Sequence, residues 1–135
     1  MPWVIEYFEQ DDSVQPAEVF EDALDRQHPK LAGKLARIAI ALRTQGHLLG
    51  GGLIEPCHGY AGLWEMRAIQ NQWLGREFFG FDGSQVILLH GYVKRVGQKA
   101  SIQDLDRAFA YLTNYRQTKM ISPIQQDNEG DHEPI

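Results

Sequence analysis

The chain has 135 residues, of which 43% are hydrophobic, and this size and composition predict one globular domain with a single core. Its only cysteine, Cys57, has no partner in the chain, so a disulfide framework is excluded and the residue is interpreted as an ordinary buried or loop thiol. No apolar run approaches the ~18 residues that span a bilayer, and no cationic, apolar leader opens the chain. We therefore expect a cytoplasmic protein that is neither exported nor bound to a membrane.

The charge is unevenly distributed along the chain. The formal net charge is -5, but residues 1–31 carry eight acidic and two basic residues, and residues 120–135 carry four acidic and no basic residues. The stretch between them, 32–119, therefore has a net charge of +5. A basic body with acidic ends is compatible with a phosphate-rich ligand, because such binding depends on local charge. The alternative is that the acidic ends only solvate the surface.

The first half of the chain predicts a strand and a helical hairpin. The β-branched and aromatic run from Trp3 to Phe8 predicts a strand that joins the sheet. A helix follows that begins near Pro16 and ends before Pro29. A second helix ends at a cap on Gly46 and has this apolar stripe: Leu31, Leu35, Ile38 and Leu42. We expect the hairpin to cover the face of the sheet that carries Trp64 and Phe79.

The second half predicts three antiparallel strands and a closing helix. Residues 48–62 are glycine-rich and are predicted as a loop, with neither a P-loop nor a metal site. Ser101 and Asp104 have capping-box spacing and open a helix whose predicted buried stripe is Ile102, Leu105, Phe109 and Leu112. Together these elements predict an α+β domain over residues 1–121. Residues 122–135 are polar and acidic and predict a flexible tail.

Positive charge on consecutive strands is the most informative feature. A four-residue loop at 70–73 would place Arg67 opposite Arg76. If Asp82-Gly83-Ser84 is a three-residue loop, Phe81 pairs with Gln85 and His90 lies opposite Arg76. A two-residue loop would shift the register by one and send His90 to the other face. The longer loop, which we prefer, gives one apolar face (Trp64, Met66, Phe79, Phe81, Ile87 and Leu89) and one polar face (Arg67, Arg76, His90 and Tyr92).

These residues resemble a known family. The run Gly62-Leu-Trp-Glu-Met-Arg67, the strand of Arg76, the run Leu89-His-Gly-Tyr-Val-Lys-Arg95 and the following Gln98-Lys99 are similar to phage-derived HigB-like toxins of the RelE/ParE superfamily. The resemblance covers residues 3 to about 116. It implies a strand, two helices, three antiparallel strands and a last helix. It also implies the toxin of a type II toxin–antitoxin system, which cleaves messenger RNA, commonly on the translating ribosome. The implied partner is an antitoxin with a helix-turn-helix DNA-binding domain.

The predicted site residues fit RNA cleavage, although each also has an ordinary structural role. Arginine forks would stabilise the charged phosphorane and a histidine would transfer protons, which gives these catalytic candidates: Arg67, Arg76, His90 and Lys94. The RNA-binding candidates are Tyr92, Arg95 and Lys99. No cofactor or metal is expected. In the structural alternative, Arg67 forms a surface ion pair with Glu65 or Glu77, and His90 is a hydrogen-bonded histidine at a strand end.

A second hypothesis is a binding module of the same fold without catalysis. It would bind an antitoxin only, or inhibit DNA gyrase as ParE-like proteins do. Residues 96–101 read Val-Gly-Gln-Lys-Ala-Ser in place of the Thr-Gln-Lys-Thr-Pro common in HigB-like toxins, and this favours the binding module. The joint presence of Arg67, Arg76 and His90 favours the enzyme.

Overall fold

A five-stranded mixed sheet with helices on both faces forms the part of the chain described by the computed structural model, residues 2–120. The elements are β1 (Val4–Tyr7), α1 (Pro16–Gln27), α2 (Pro29–Gln45), a 3-10 turn (Gly46–Leu48), β2 (Ile54–Pro56), β3 (Trp64–Gln70), β4 (Trp73–Asp82), β5 (Gln85–Arg95) and α3 (Ile102–Thr118). The strand order is β1-β5-β4-β3-β2, with β1 parallel to β5 and the other pairs antiparallel. The predicted α+β class is confirmed. None of the helices within residues 2–120 is both long and apolar enough to cross a membrane.

Helices α1 and α2 cover one face of the sheet, which we call the hairpin face. Pro16 and Pro29 begin the two helices, where a missing N–H costs nothing. The predicted stripe of α2 packs with Met66 and Phe79 in one buried cluster, as expected. The helices approach the sheet closely at glycines: a Cβ built on Gly91 would lie 2.4 Å from the ring of Phe20. Because Gly91 has no side chain, Phe20 of α1 can pack directly against β5.

Helix α3 packs on the opposite face, which we call the α3 face. The Ser101 side chain accepts a hydrogen bond from the Asp104 backbone N–H at 3.1 Å, which confirms the predicted helix start. The buried stripe of α3 contacts Phe78 and other strand residues and consists of Leu105, Ala108, Leu112 and Tyr115. Ile102, predicted to be buried, is 61% exposed because the first turn of the helix extends beyond this stripe. Phe109 is partly buried against the same cluster.

The β3–β4 register is as predicted, but the turn is shorter. Gln70 and Trp73 are paired, so the loop is two residues, and Asn71 adopts a φ of 55°. Arg67 pairs with Arg76, as expected. The shorter loop leaves the register unchanged because the predicted four-residue loop simply contains one further pair.

The predicted β4–β5 register is wrong in two compensating ways. Asp82 pairs with Gln85, so the loop has two residues rather than three. The register then shifts beside Phe78, where Leu89 is the extra residue of a β-bulge. Because of the bulge, His90 returns to the face of Arg76, but it lies opposite Phe78 and not opposite Arg76, whose partner is Tyr92.

The same shift corrects the predicted apolar face. Ile87 and Leu89 lie in the cluster under α3, whereas Phe79 and Phe81 belong to the cluster under the hairpin. The short turn moves the first half of β5 by one residue, and a one-residue shift reverses which side chains face each helix layer. Both faces of the sheet are therefore apolar where helices cover them.

The predicted loop at 48–62 contains a short edge strand, β2. Glu55 pairs with Glu65 of β3 in an antiparallel arrangement. A three-residue strand ending in Pro56 has little propensity signal of its own, and proline is tolerated at a sheet edge because no neighbour needs its N–H. This strand adds a carboxylate to the edge of the α3 face. The predicted tail, 122–135, lies outside the described residues.

Candidate functional site

Three neighbouring strands present cationic and aromatic side chains on the part of the α3 face that lies beyond the helix. Arg67 on β3 is paired with Arg76 on β4, which is paired with Tyr92 on β5. Lys94 follows Tyr92 on the same face, because strand side chains alternate. The side chains of Arg67 and Arg76 are 35% and 15% exposed, so the pair is partly accessible to solvent.

Two carboxylates contact the guanidinium groups. Glu55 Oε1 lies 3.0 Å from Arg67 Nη1. Glu65 Oε2 lies 3.6 Å from Arg76 Nε and 4.0 Å from Arg67 Nε. At 3.6 Å the contact is an ion pair without a hydrogen bond, so the buried Arg76 Nε has no hydrogen-bond acceptor within residues 2–120. These carboxylates explain how two cations can face each other across an antiparallel pair.

The ion pair weighed for Arg67 is thus formed with Glu65, and the proposed partner Glu77 is wrong. Glu77 is on the opposite face of β4, because it is one residue from Arg76, and there it lies beside Glu21 of α1. The sequence alternative named both acids as partners of Arg67 without separating them by face, whereas only Glu65 shares the face of Arg67.

Glu65 and Cys57 are in contact beside the arginines, and both are shielded from solvent. Burial raises the pKa of Glu65, and Glu55 raises it further, while Arg76 and Arg67 lower it. The Cys57 thiol is 3.7 Å from Glu65 Oε1, and burial together with that carboxyl raises the pKa of Cys57 to about 12. The thiol is therefore protonated at neutral pH and is a poor nucleophile.

Lys94 is close enough to Arg67 and Arg76, the arginine cluster, for their charges to act on it. Desolvation lowers its pKa first, and the charges of Arg76 and Arg67 lower it further. Its ammonium group donates a hydrogen bond to the backbone carbonyl of Gln98, in the loop before α3. The lysine is therefore held near the guanidinium groups by the loop that follows its strand.

His90 lies at the boundary between this open region and α3. Its Nε2 is 2.7 Å from Asp104 Oδ1, its ring stacks on Phe78 with centroids 6.3 Å apart, and Tyr111 contacts its edge. The histidine side chain is 12% exposed. Because His90 is opposite Phe78 and Arg76 is opposite Tyr92, the histidine is a diagonal neighbour of Arg76, a separation of about 7 to 8 Å in a regular sheet.

Asp104 has a different role from the one its spacing predicts. In a full capping box its side chain would return to the backbone N–H of Ser101. That N–H instead donates to the Tyr92 hydroxyl at 3.1 Å, and the Asp104 carboxylate is directed to His90. A carboxylate on one ring nitrogen orients a histidine and leaves the other nitrogen available for proton transfer.

The three predicted RNA-binding residues are distributed over different surfaces. The Tyr92 ring stacks on Phe78 at 6.0 Å within the site face. Arg95 lies over the Trp73 ring at 4.8 Å, and Trp73 packs with the hairpin cluster, so Arg95 is not brought to the arginine pair. Lys99 is exposed in the loop before α3.

The carboxylates are the site residues that the sequence interpretation missed as participants. The sequence interpretation names Glu65 only as an alternative ion-pair partner of Arg67, although it is two residues from Arg67 in a predicted strand and must share its face. Asp104 was assigned to helix capping, and Glu55 lay in a predicted loop. A phosphate that enters this site would compete with Glu55 and Glu65 for the same guanidinium donors.

Comparison with known proteins assigns the chain to a family. No curated protein matches the sequence. Residues 22–113 match the family described as Phage derived protein Gp49-like (DUF891), and the match extends from the middle of α1 through most of α3 and includes every catalytic candidate. The three helices and five-stranded sheet are compatible with a RelE-like α+β fold. Because the match covers more than half of the chain, this protein belongs to the phage-derived Gp49-like family, a RelE/ParE-like family of toxins in toxin–antitoxin systems.

Proposed function

We propose that the protein is a HigB-like toxin of a type II toxin–antitoxin system and cleaves messenger RNA on the translating ribosome. The observation that carries this proposal is the arrangement of Arg67 and Arg76 on one sheet face, diagonal to a histidine–carboxylate pair, His90 and Asp104. Membership of the Gp49-like family supports the toxin assignment. The helix-turn-helix antitoxin, the messenger RNA and the cytoplasmic location are parts of the same proposal.

The site chemistry follows from the requirements of strand cleavage. The 2′-hydroxyl must lose a proton, the phosphorane gains negative charge, and the departing 5′-oxygen must gain a proton. Arg67 and Arg76 stabilise the phosphorane charge, with Lys94 as the third cation. His90, oriented by Asp104, carries the proton. The Tyr92 ring provides a surface on which a base stacks, and Lys99 contacts the backbone nearby.

RNA binding requires the site to rearrange locally. The phosphate replaces Glu55 on Arg67 and engages Arg76, whose buried Nε makes no hydrogen bond within residues 2–120. Glu65 is nearly buried and stays, so it holds both guanidinium groups near their catalytic positions. His90 then needs a small displacement from beneath α3 to reach the bound phosphate.

Growth inhibition combined with transcript mapping tests this function. Arg76→Ala and His90→Ala are each expected to abolish growth inhibition and transcript cleavage. Loss of one charge-stabilising donor costs about a hundred- to a thousandfold in rate, and loss of an acid–base group costs about a hundred- to ten-thousandfold. Arg76→Lys should also fail, because an ammonium lacks the planar fork. The matched control is Arg43→Ala, an exposed cation at the end of α2. Cleavage at the wild-type rate in the two alanine variants, with normal thermal unfolding, would refute the site.

A non-catalytic toxin is the second candidate. The contacts that favour it are those that occupy the predicted catalytic groups: Glu55 and Glu65 on the arginines, and Asp104 on His90. Growth inhibition by the wild type without transcript cleavage by primer extension, but with inhibited DNA supercoiling, would establish a ParE-like activity instead. If the wild type neither cleaves transcripts nor inhibits supercoiling but still binds the antitoxin, the protein is a binding module.

A further inference from the structure

A groove with acidic and apolar walls lies between α1 and α2 on the hairpin face, on the other side of the sheet from the arginine cluster. It encloses a cavity of about 380 Å³. Its acidic lining comes from Glu21, Asp22 and Asp25 of α1 and from Glu77 of β4. Helix α2 contributes only apolar side chains, among them Leu35 and Ala39. A cavity of this size falls within the range of small-ligand sites.

Glu77 is the informative residue in this groove. It is 2% exposed, and its Oε2 has no hydrogen-bond partner within residues 2–120. Its neighbour Glu21 accepts a hydrogen bond from the Tyr7 hydroxyl at 2.5 Å. Burying a carboxyl group with an unsatisfied oxygen is costly, and here the carboxyl lies against a second one. Structural packing alone would favour an apolar residue at this position.

We infer that this groove binds an alkylguanidinium or alkylammonium group, with its cationic head on the carboxyl groups of Glu21 and Glu77 and its aliphatic stem against Leu35 and Ala39. The buried Glu77 Oε2 must turn toward the cavity to meet this head, which then supplies the donors that the oxygen lacks. The apolar wall of α2 suits a hydrocarbon stem. The ligand is organic rather than a metal ion, because residues 2–120 contain no group of three His, Cys, Asp or Glu side chains arranged to hold a metal. The inference does not depend on nuclease activity.

Binding is coupled to a proton. Burial, and then the hydrogen bond and charge of Glu21, raise the pKa of Glu77 well above its ordinary value. The other titratable groups around the pair are Tyr7 on β1 and Asp22 and Asp25 on α1, and the exposed Glu18 acts only on Tyr7. All of these are acidic groups, so none of the residues that line this groove neutralises the pair when it ionises. A bound cation stabilises the ionised pair, releases its proton to solvent and therefore binds more tightly as pH rises.

Calorimetry with a charged and a neutral probe tests the site. We expect n-butylguanidinium to bind the full chain roughly ten- to a hundredfold more tightly than its neutral analogue n-butylurea. Affinity should increase from pH 6 to pH 8, with proton release measured in buffers of different ionisation enthalpy. Glu77→Gln should weaken binding of the cation to the level of the urea. Ala39→Phe should abolish binding, because its ring occupies the place of the aliphatic stem and leaves both carboxyls in place.

Glu18→Gln is the matched control, since it removes a charge from the same helix at an exposed position outside the cavity lining. The cation belongs either to an arginine side chain of a partner protein or to a free small molecule, and a capped Gly-Arg-Gly peptide distinguishes the two. Tighter binding of the peptide than of n-butylguanidinium indicates an arginine of a partner chain. Weaker binding indicates a free small molecule. The inference is overturned if n-butylguanidinium does not bind at millimolar concentration. It is also overturned if folded Glu77→Gln binds the cation as tightly as the wild type.

Discussion

Glu65 and Glu77 are both nearly buried on neighbouring strands, yet they have opposite surroundings. Glu65 lies between two arginines that lower its pKa against the effect of burial. Glu77 lies against Glu21, which adds to the effect of burial and raises its pKa. The first carboxyl is therefore part of a neutralised cationic cluster, whereas the second is part of an acidic groove. The difference arises from strand alternation, which places the two residues on opposite faces.

The raised pKa of Glu77 makes stability depend on pH. The unfolded chain ionises this group near its ordinary pKa of 4.5, while the folded protein retains the proton to higher pH. The favourable contribution of protonated Glu77 is thus complete below pH 4.5 and is lost as pH rises toward the folded-state pKa. Relative to the wild type, Glu77→Gln should become more stable between pH 4.5 and 8, by at most about 1.4 kcal/mol per pH unit. Urea unfolding across this range measures the difference.

One control variant accompanies that measurement. Glu18→Gln should follow the wild-type pH profile, because Glu18 is exposed. Parallel stability profiles for the wild type and Glu77→Gln would show that Glu77 has the same pKa in both states and would contradict the expectation.

Glu55 is expected to compete with RNA for Arg67. Glu55→Gln removes the exposed carboxylate 3.0 Å from that guanidinium while keeping the side-chain shape. Exposed ion pairs are worth about 0.2 to 1 kcal/mol, so the affinity for a single-stranded RNA should increase by about 1.4- to fivefold at low salt. Fluorescence anisotropy in a His90→Ala background measures binding without cleavage. Unchanged affinity would place the RNA away from Arg67.

Among the elements, the helical hairpin packs closely on the sheet because two strand glycines leave room for its side chains. Gly91 directly opposes Phe20, and Gly75 lies beneath Leu31 and Leu35. A Cβ at Gly75 would lie 3.2 Å from those leucines, a distance that small shifts can relieve, whereas the 2.4 Å approach to Phe20 cannot persist. The close approach at Gly91 therefore determines how deeply α1 sits over β5.

Two glycine substitutions should have opposite effects on stability. Gly91→Ala forces the Phe20 ring to move and should lower the free energy of unfolding by about 1 to 3 kcal/mol. Gly33→Ala lies within α2, where a Cβ would meet nothing within 4 Å, and should raise that free energy by up to about 1 kcal/mol. Chemical denaturation of the two variants provides the comparison. A neutral Gly91→Ala would mean that α1 can move away from the sheet without loss.

For the whole molecule, the charge distribution separates two surfaces. The acidic stretch of residues 1–31 includes α1, which lines the groove on the hairpin face, and the basic body includes the arginine cluster on the α3 face. The sheet lies between them. A net charge of -5 therefore does not describe the environment of either surface.

Deleting residues 122–135 is expected to leave RNA affinity and its salt dependence unchanged between 50 and 200 mM salt. The deletion removes four acidic residues and no basic ones, but the salt dependence is set by the number of phosphates that bound cations neutralise. Anisotropy titrations of the full and shortened chains test this. Tighter binding and a steeper salt dependence after deletion would show that the acidic end shields the basic body.

The sequence alone determined the helices, the Arg67–Arg76 pairing and the α+β class. Prolines and a capping serine mark where the helices begin, and local periodicity marks their buried faces. These features depend on interactions within a few residues, so they can be read without the rest of the chain. The family resemblance drew on the same strand residues.

Tertiary structure alone decided the contacts that give each face its chemistry. The position of His90 depends on a bulge beside Phe78, and a bulge has no reliable local signature. Asp104 reaches His90 only because α3 packs over β5, and Glu55 reaches Arg67 only because β2 pairs with β3. Glu77 meets Glu21 across the contact between α1 and the sheet. Each of these contacts joins residues distant in sequence, and their geometry is set by packing that local propensity does not encode.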